Sequence, residues 1–342
     1  MSTLRNTFAD VLHKIGLEDP NLVVLVGDIS HFRLQPFARD CPGRYYNIGI
    51  CEPTIVNMAA GLSKVGLFPV VHTISPFIVE RSFEQLKLDF CYQDLGGNIV
   101  TVGSAFDYSH LGCTHHCYSD FALLKTLPDT HLFYPATYRE FDTLFRQVYN
   151  KRQLNYFRIP MHGHEFDFPA EDIVCGKAIP VNEGEDLTLV AVGSQLRTAL
   201  SALEPLKKMG ISIDLLYVHT IKPFDVKTVN ASLTKTRRCL VIEEHGMYGG
   251  VFDDVLRSSR KIEGVQYSSL AIPNRFLRDY GSYEEHCRHL GFSTEGILKK
   301  VKEELKLNSV IASDWKERSN LFDSKEIASS SLKSTPPRND TR

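Results

Sequence analysis

The chain has 342 residues, with 39 Lys and Arg against 41 Asp and Glu and a formal net charge of -2, a balance that argues against a nucleic-acid or anionic-membrane footprint. Hydrophobic residues make up 43% and charged residues 23%, which is globular and not disordered, and no apolar run approaches the ~20 residues that span a bilayer. The first residues, MSTLRNTFADVLHK, carry charges where an export signal needs its apolar stretch, so the expectation is a soluble, cytoplasmic protein.

The first half alternates regularly. Residues 3–15 read as a helix, and the buried-strand run Leu22–Val26 follows. A strand at Tyr45–Ile48 leads into Glu52-Pro53, where the proline suits a first helical turn and Ile55, Val56, Met58, Ala59 and Leu62 follow at helical spacing. Then come a strand at Phe68–His72, a helix from about Phe77 to Tyr92, and a strand at Asn98–Gly103. A polar loop rich in histidine and glycine fills 104–117. A helix to Leu127, a strand at 131–134, a helix at 138–150 and a strand at Leu154–Arg158 complete a first domain, 1–165.

Residues 166–186 lack periodicity and read as a linker. A second α/β unit spans 187–306: strand 187–192, helix 195–209, strand 211–217, helix 225–233, strand 239–243, helix 250–260, strand 265–271 and a last helix near 293–306. The polar remainder, 307–342, with eight serines in 308–342, reads as a mobile tail around Trp315. The fold class is therefore α/β, two mostly parallel-sheet, three-layer domains.

Eight scattered cysteines without an export signal read as reduced thiols. Cys113-Thr-His115-His116-Cys117 holds four zinc-type ligands, but ligands this close in sequence do not converge on one tetrahedral centre, so no metal site is assigned. Ligands of open parallel sheets bind outside the carboxyl ends of the strands. Four segments lie there: Gly49-Ile-Cys-Glu52, His72–Phe77, the 104–117 loop and Arg158. By position alone Glu52 is also an acid favoured by a helix N-terminus, and no single segment identifies a reaction.

Together, the motifs do. Asn47-Ile-Gly-Ile-Cys-Glu52 followed by Met58-Ala-Ala-Gly-Leu62 resembles a transketolase-family segment, as do Phe77 with Arg81-Ser-Phe-Glu-Gln85 and Gly112-Cys-Thr-His115-His116. Thr220-Ile-Lys-Pro-Phe-Asp225 and Glu243-Glu-His245 with Gly249-Gly250 extend the resemblance in unbroken order from about residue 3 to 305. The family's Gly-Asp-Gly, which grips Mg²⁺ and the diphosphate of thiamine diphosphate, is missing: Gly27-Asp28 runs on into Ile29. The chain is thus similar to the small subunit of a split transketolase, carrying the pyrimidine-binding and C-terminal modules.

The resemblance implies a cofactor, thiamine diphosphate, shared with a pyrophosphate-module (α-like) partner that holds the Mg²⁺, in an α2β2 assembly acting on sugars or sugar phosphates. It implies that Glu52 bonds the aminopyrimidine ring nitrogen, since a carboxyl in an apolar pocket keeps a proton to share. Phe77 matches the aromatic that stacks on that ring, with Arg81 and Ile74 beside the pocket. His115 matches a substrate-facing histidine, accompanied by His110 and His116. Arg158 matches an arginine holding the substrate phosphate, and His72 is a weaker substrate candidate.

Two departures bear on substrate. Where relatives carry an Asp that reads a sugar hydroxyl this chain has Leu111, and a strand end carrying His or Arg in relatives reads Gly103-Ser104. Ordinary pentose phosphates are accordingly expected to be poor substrates and a modified sugar a plausible one. The reading is a transketolase-like transferase moving a two-carbon ketol unit. The rivals are a deoxyxylulose-phosphate-synthase-like or 2-oxo-acid-dehydrogenase-like enzyme, and a non-catalytic partner of a thiamine enzyme.

Overall fold

Two parallel sheets organise the protein in a computed structural model that describes residues 4–305. In chain order the strands are β1 (Leu22–Val26), β2 (Tyr45–Asn47), β3 (Phe68–Ile74), β4 (Gly97–Val102), β5 (Thr130–Phe133), β6 (Leu154–Ile159), β7 (Ile179–Asn182), β8 (Leu187–Val192), β9 (Ile213–Val218), β10 (Thr220–Lys222), β11 (Arg238–Gly246) and β12 (Gln266–Ile272). The first sheet has the order β10-β5-β6-β4-β3-β1-β2 and the second β12-β11-β8-β9-β7. Only β10 and β7 run antiparallel to their neighbours.

The sequence dictates this directly. β1, β4 and β6 are buried at every position, as strands covered on both faces must be. Alternation along β3 divides the faces. Val71 joins Ile55, Val56 and Ala59 of the helix Glu52–Lys64 in the core, while His72 turns to Phe8 of the helix Leu4–Glu18 at 4.3 Å. The core is continuous between the sheets, from Leu25 and Tyr156 to Val190, Val218 and Val241. Each fully buried aliphatic side chain contributes about 1.5–3 kcal/mol.

The chain passes from β1 outward to β2, then returns to the other side of β1 for β3 and β4. The order in which strands are added reverses between β1 and β3, which is where such sheets open a ligand crevice. Register keeps the carboxyl ends level: Val26 pairs with His72, Ile74 with Val102, and Val102 with Ile159.

Four features differ from the sequence expectation. The segment taken as a linker contains β7, which pairs with β9. The second half lends β10 to the first sheet, against β5. The helix expected over 77–92 begins at Ser75, breaks after Arg81 and ends as a π-helix over Leu86–Cys91. A helix at Tyr283–Leu290 was unforeseen, although Ser282 and Glu285 form a full capping box and Gly291 takes the left-handed cap. No described helix is long and apolar enough to cross a membrane. Residues 300–305, described as helix, fall in a separate unit. The tail proposed for 307–342, Trp315 included, lies outside the described residues.

Candidate active site

Strand β2 and the loop behind it deliver Glu52. The Asn47 side-chain oxygen accepts from the backbone N–H groups of Asp28 and Gly49, both at 3.1 Å, and Gly49 takes φ +80°, a conformation that favours glycine. Pro53 then starts the helix Glu52–Lys64, with Glu52 in its first turn. The glutamate is only 2% exposed. Its Oε2 lies 3.4 Å from Arg81 Nη1, and its Oε1 is buried with no hydrogen-bond partner. Leaving such an atom unpaired costs about 1–3 kcal/mol, an expense native structures keep mainly where something else supplies the partner.

Phe77 sits in the first turn of the helix Ser75–Arg81, whose start is fixed by the Ser75 hydroxyl donating to Thr101 Oγ1 at 2.7 Å and to the Gly103 carbonyl at 3.0 Å. One turn on, the half-exposed Arg81 places its guanidinium carbon 4.1 Å above the Phe77 ring. At a half-exposed site a cation–π contact contributes about 0.5–1 kcal/mol. His115 meets the same ring edge-on at 5.0 Å. Its backbone N–H donates to the Gly112 carbonyl at 3.0 Å, and its Nδ1 lies 3.0 Å from Thr114 Oγ1. Burial, followed by the charges of His110 and Arg81, pushes the His115 pKa below its ordinary value.

Glu52, Phe77, Arg81 and His115 thus come together at the switch point. Ile74 is half-buried at the end of β3 directly before Ser75, and His110 is exposed on the His115 loop. Leu111 beside it is 45% exposed.

Three expected substrate contacts are placed elsewhere. His72 is fully buried, its Nδ1 2.8 Å from the Val100 carbonyl and its Nε2 2.9 Å from Ser30 Oγ, so protein groups occupy both nitrogens. Arg158 is also fully buried. It pairs with Asp120 at 3.3 Å, donates to the Glu244 carbonyl at 2.9 Å and lies between the rings of Phe121 and Tyr134. As placed, it grips the interior and not a substrate phosphate. His116 is 4% exposed, and burial together with His286 and His115 lowers its pKa to about 4.

Arg158 and His116 belong to a polar seam joining the two halves, whose hub the sequence reading missed. Glu244 accepts hydrogen bonds from Ser104 Oγ (3.0 Å), Ser194 Oγ (2.5 Å), Gln195 Nε2 (2.7 Å) and Tyr283 Oη (2.5 Å). Asp107 accepts from the N–H groups of Ser104 and Met161, and burial, then the Glu244 charge, raises its pKa. Ser104 is therefore a structural donor. Next along the strand, Glu243 accepts from the N–H groups of Val251 and Phe252 at the start of the helix Val251–Ser259, and burial raises it to about 7. Three consecutive ionisable residues inside the buried strand β11 were the available signal.

A sequence model of the transketolase pyrimidine binding domain matches residues 1–162, and one of the transketolase C-terminal domain matches 176–297. An apulose-4-phosphate transketolase subunit of Phocaeicola vulgatus is 29% identical over 309 residues, covering 90% of this chain and 98% of its own. A 6-deoxy-6-sulfo-D-fructose transketolase subunit of Clostridium sp. strain MSTE9 is 28% identical over 250 residues, covering 72% of this chain and 78% of its own. Among solved structures, a split gene transketolase in an inactive β4 tetramer superposes with a TM-score of 0.80 at 25% identity, covering 90% of this chain and 99% of that one.

Proposed function

The chain belongs to the transketolase family, and from that premise we propose that it is the pyrimidine-binding subunit of a two-chain enzyme moving a two-carbon ketol unit between sugars. One observation carries the reading: the buried, unpartnered Oε1 of Glu52, beside Phe77 and His115 at the switch point. An orphaned carboxyl oxygen joined through Arg81 to an aromatic ring fits the aminopyrimidine of thiamine diphosphate, the cofactor of this family. When bound, thiamine diphosphate supplies the carbon nucleophile that accepts and releases the two-carbon unit.

The chain's own residues divide the remaining work. Glu52 holds a proton at Oε1 for the ring nitrogen of the cofactor. Phe77 offers its face to that ring, and Ile74 closes the pocket beside it. Arg81 keeps Oε2 engaged, so only Oε1 is available. His115, its pKa lowered by burial, receives the proton from a substrate hydroxyl and gives it back to a carbonyl oxygen. His110 stands at the exposed end of the same loop.

The diphosphate and its Mg²⁺ are assigned to a pyrophosphate-module partner. The reading rests on the family's Gly-Asp-Gly, which is not in this sequence. The proposed assembly is α2β2, supported by the related split transketolase whose β4 form is described as inactive. Two relatives are named for apulose 4-phosphate and 6-deoxy-6-sulfo-D-fructose. With a leucine at exposed position 111, these names support a modified sugar as the substrate here.

The test is reconstitution with a chain carrying Gly-Asp-Gly and a downstream Asn. Mass measurement should give a heterotetramer that binds thiamine diphosphate with Mg²⁺ and transfers two-carbon units. Tight cofactor binding by this chain alone would refute the division of labour.

A further inference from the structure

The His115 loop has a neighbour from the other half of the chain. Gly112, whose carbonyl accepts the His115 N–H, takes φ +78° and has no room for a side chain. A Cβ there would meet Tyr280 Cε1 at 2.8 Å, Cζ at 3.0 Å and Oη at 3.1 Å. Tyr280 follows β12 and precedes the helix Tyr283–Leu290, so the second half lays a phenol directly on the turn that sets His115. Ser109 Oγ fixes the approach by donating to the Gly281 carbonyl at 2.7 Å. The seat is firm: Phe106 packs on Tyr283 at 5.1 Å, and Tyr283 is bonded to Glu244.

Tyr280 is nevertheless 73% exposed. The ring is thus covered by backbone on the Gly112 side and largely open elsewhere. The residue adjoining Gly112 there is Leu111, which neither donates nor accepts a hydrogen bond. We propose that Tyr280 is a specificity-determining residue, its hydroxyl reading a sugar hydroxyl one carbon from the reacting carbonyl, in the place where Leu111 leaves no polar group. The proposal rests on the reading of His115 as the substrate-facing histidine. It locates part of the substrate choice in the second half of the chain, outside the strand-end pocket.

The experiment uses the reconstituted two-chain complex with D-xylulose 5-phosphate as donor. The acceptors are D-ribose 5-phosphate and 2-deoxy-D-ribose 5-phosphate, which differ by one hydroxyl. Tyr280→Phe keeps the ring on Gly112 and removes only the oxygen. It should lower the ribose-to-deoxyribose ratio of kcat/KM about tenfold, leaving the deoxy acceptor unchanged. An unchanged ratio in an active variant overturns the proposal, whereas failure of the unmodified complex to bind thiamine diphosphate with Mg²⁺ counts against the proposed function instead. Tetranitromethane labelling, read by mass spectrometry, reports on Tyr280 without turnover. Protection by either sugar phosphate supports the assignment, and equal nitration with and without sugar overturns it.

Discussion

Glu52 and Arg158 sit near the carboxyl edge of the same sheet, and both are buried ionisable side chains, yet they are treated in different ways. Glu52 has one oxygen engaged by Arg81 and one with no partner. Arg158 has its charge met by Asp120 and a second donor spent on the Glu244 carbonyl. Both regions leave a buried polar atom open, Glu52 Oε1 in the one and Arg158 Nε in the other, but the Arg158 guanidinium meets a carboxylate that is itself fully buried. Residue type and strand-end position were the same kind of signal in both cases. What separates the two is where the partner sits: Arg81 is half-exposed, so Glu52 stands at a pocket's edge, whereas Asp120 is fully buried and holds Arg158 inside.

The largest effect expected from this contrast is on turnover. Glu52→Gln should leave assembly and melting temperature essentially unchanged while lowering kcat of the reconstituted complex by about 10²–10⁴-fold, because an amide does not share the required proton. Near-normal turnover would erase the distinction between pocket and seam.

Arg158→Met should act on stability instead. Removing the guanidinium leaves Asp120 buried without its counter-charge, which costs about 3–5 kcal/mol. Adding Asp120→Asn should recover part of that loss in urea melts. If the single variant melts normally and the KM for a sugar phosphate rises steeply, Arg158 belongs to the pocket after all.

The seam also predicts a pH dependence. His116 and His245 are each pushed by burial to about 4, against an unfolded value near 6.5. The unfolded chain therefore binds more protons between these values. The contribution of each histidine is fully present above about pH 6.5 and is lost as pH falls towards 4, by at most about 1.4 kcal/mol per pH unit. Glu243, raised to about 7, opposes this, since its contribution is present below its unfolded value and lost as pH rises to 7. His116→Leu isolates one member: urea midpoints between pH 7 and 4.5 should slope less steeply, by about one proton. Parallel slopes would show that His116 titrates normally.

The smallest effect belongs to Arg81. Half-exposed, it contributes through Phe77 and Glu52 about 0.5–1 kcal/mol. Arg81→Ala should lower the melting temperature only slightly, as scanning calorimetry would report. A loss as large as that of Arg158→Met would place Arg81 inside the structural seam.

Local sequence decided much of the architecture, because apolar runs such as Leu22–Val26 and Leu187–Val192 have no stable environment except a covered parallel sheet. It also decided that Glu52, Phe77 and His115 lie at strand ends, since parallel connections place the loops that follow the strands along one edge. It was silent on β10 and β7, three and four residues long, whose antiparallel pairing is set by the distant edges they meet. It was equally silent on which ionisable groups turn inward to meet one another. The partners of Arg158 are 38 and 86 residues away in sequence, and those of Glu244 span residues 104 to 283. Pairings at such separations follow from how two sheets pack, and so only the tertiary structure assigns Arg158 to the interior and sets Tyr280 upon Gly112.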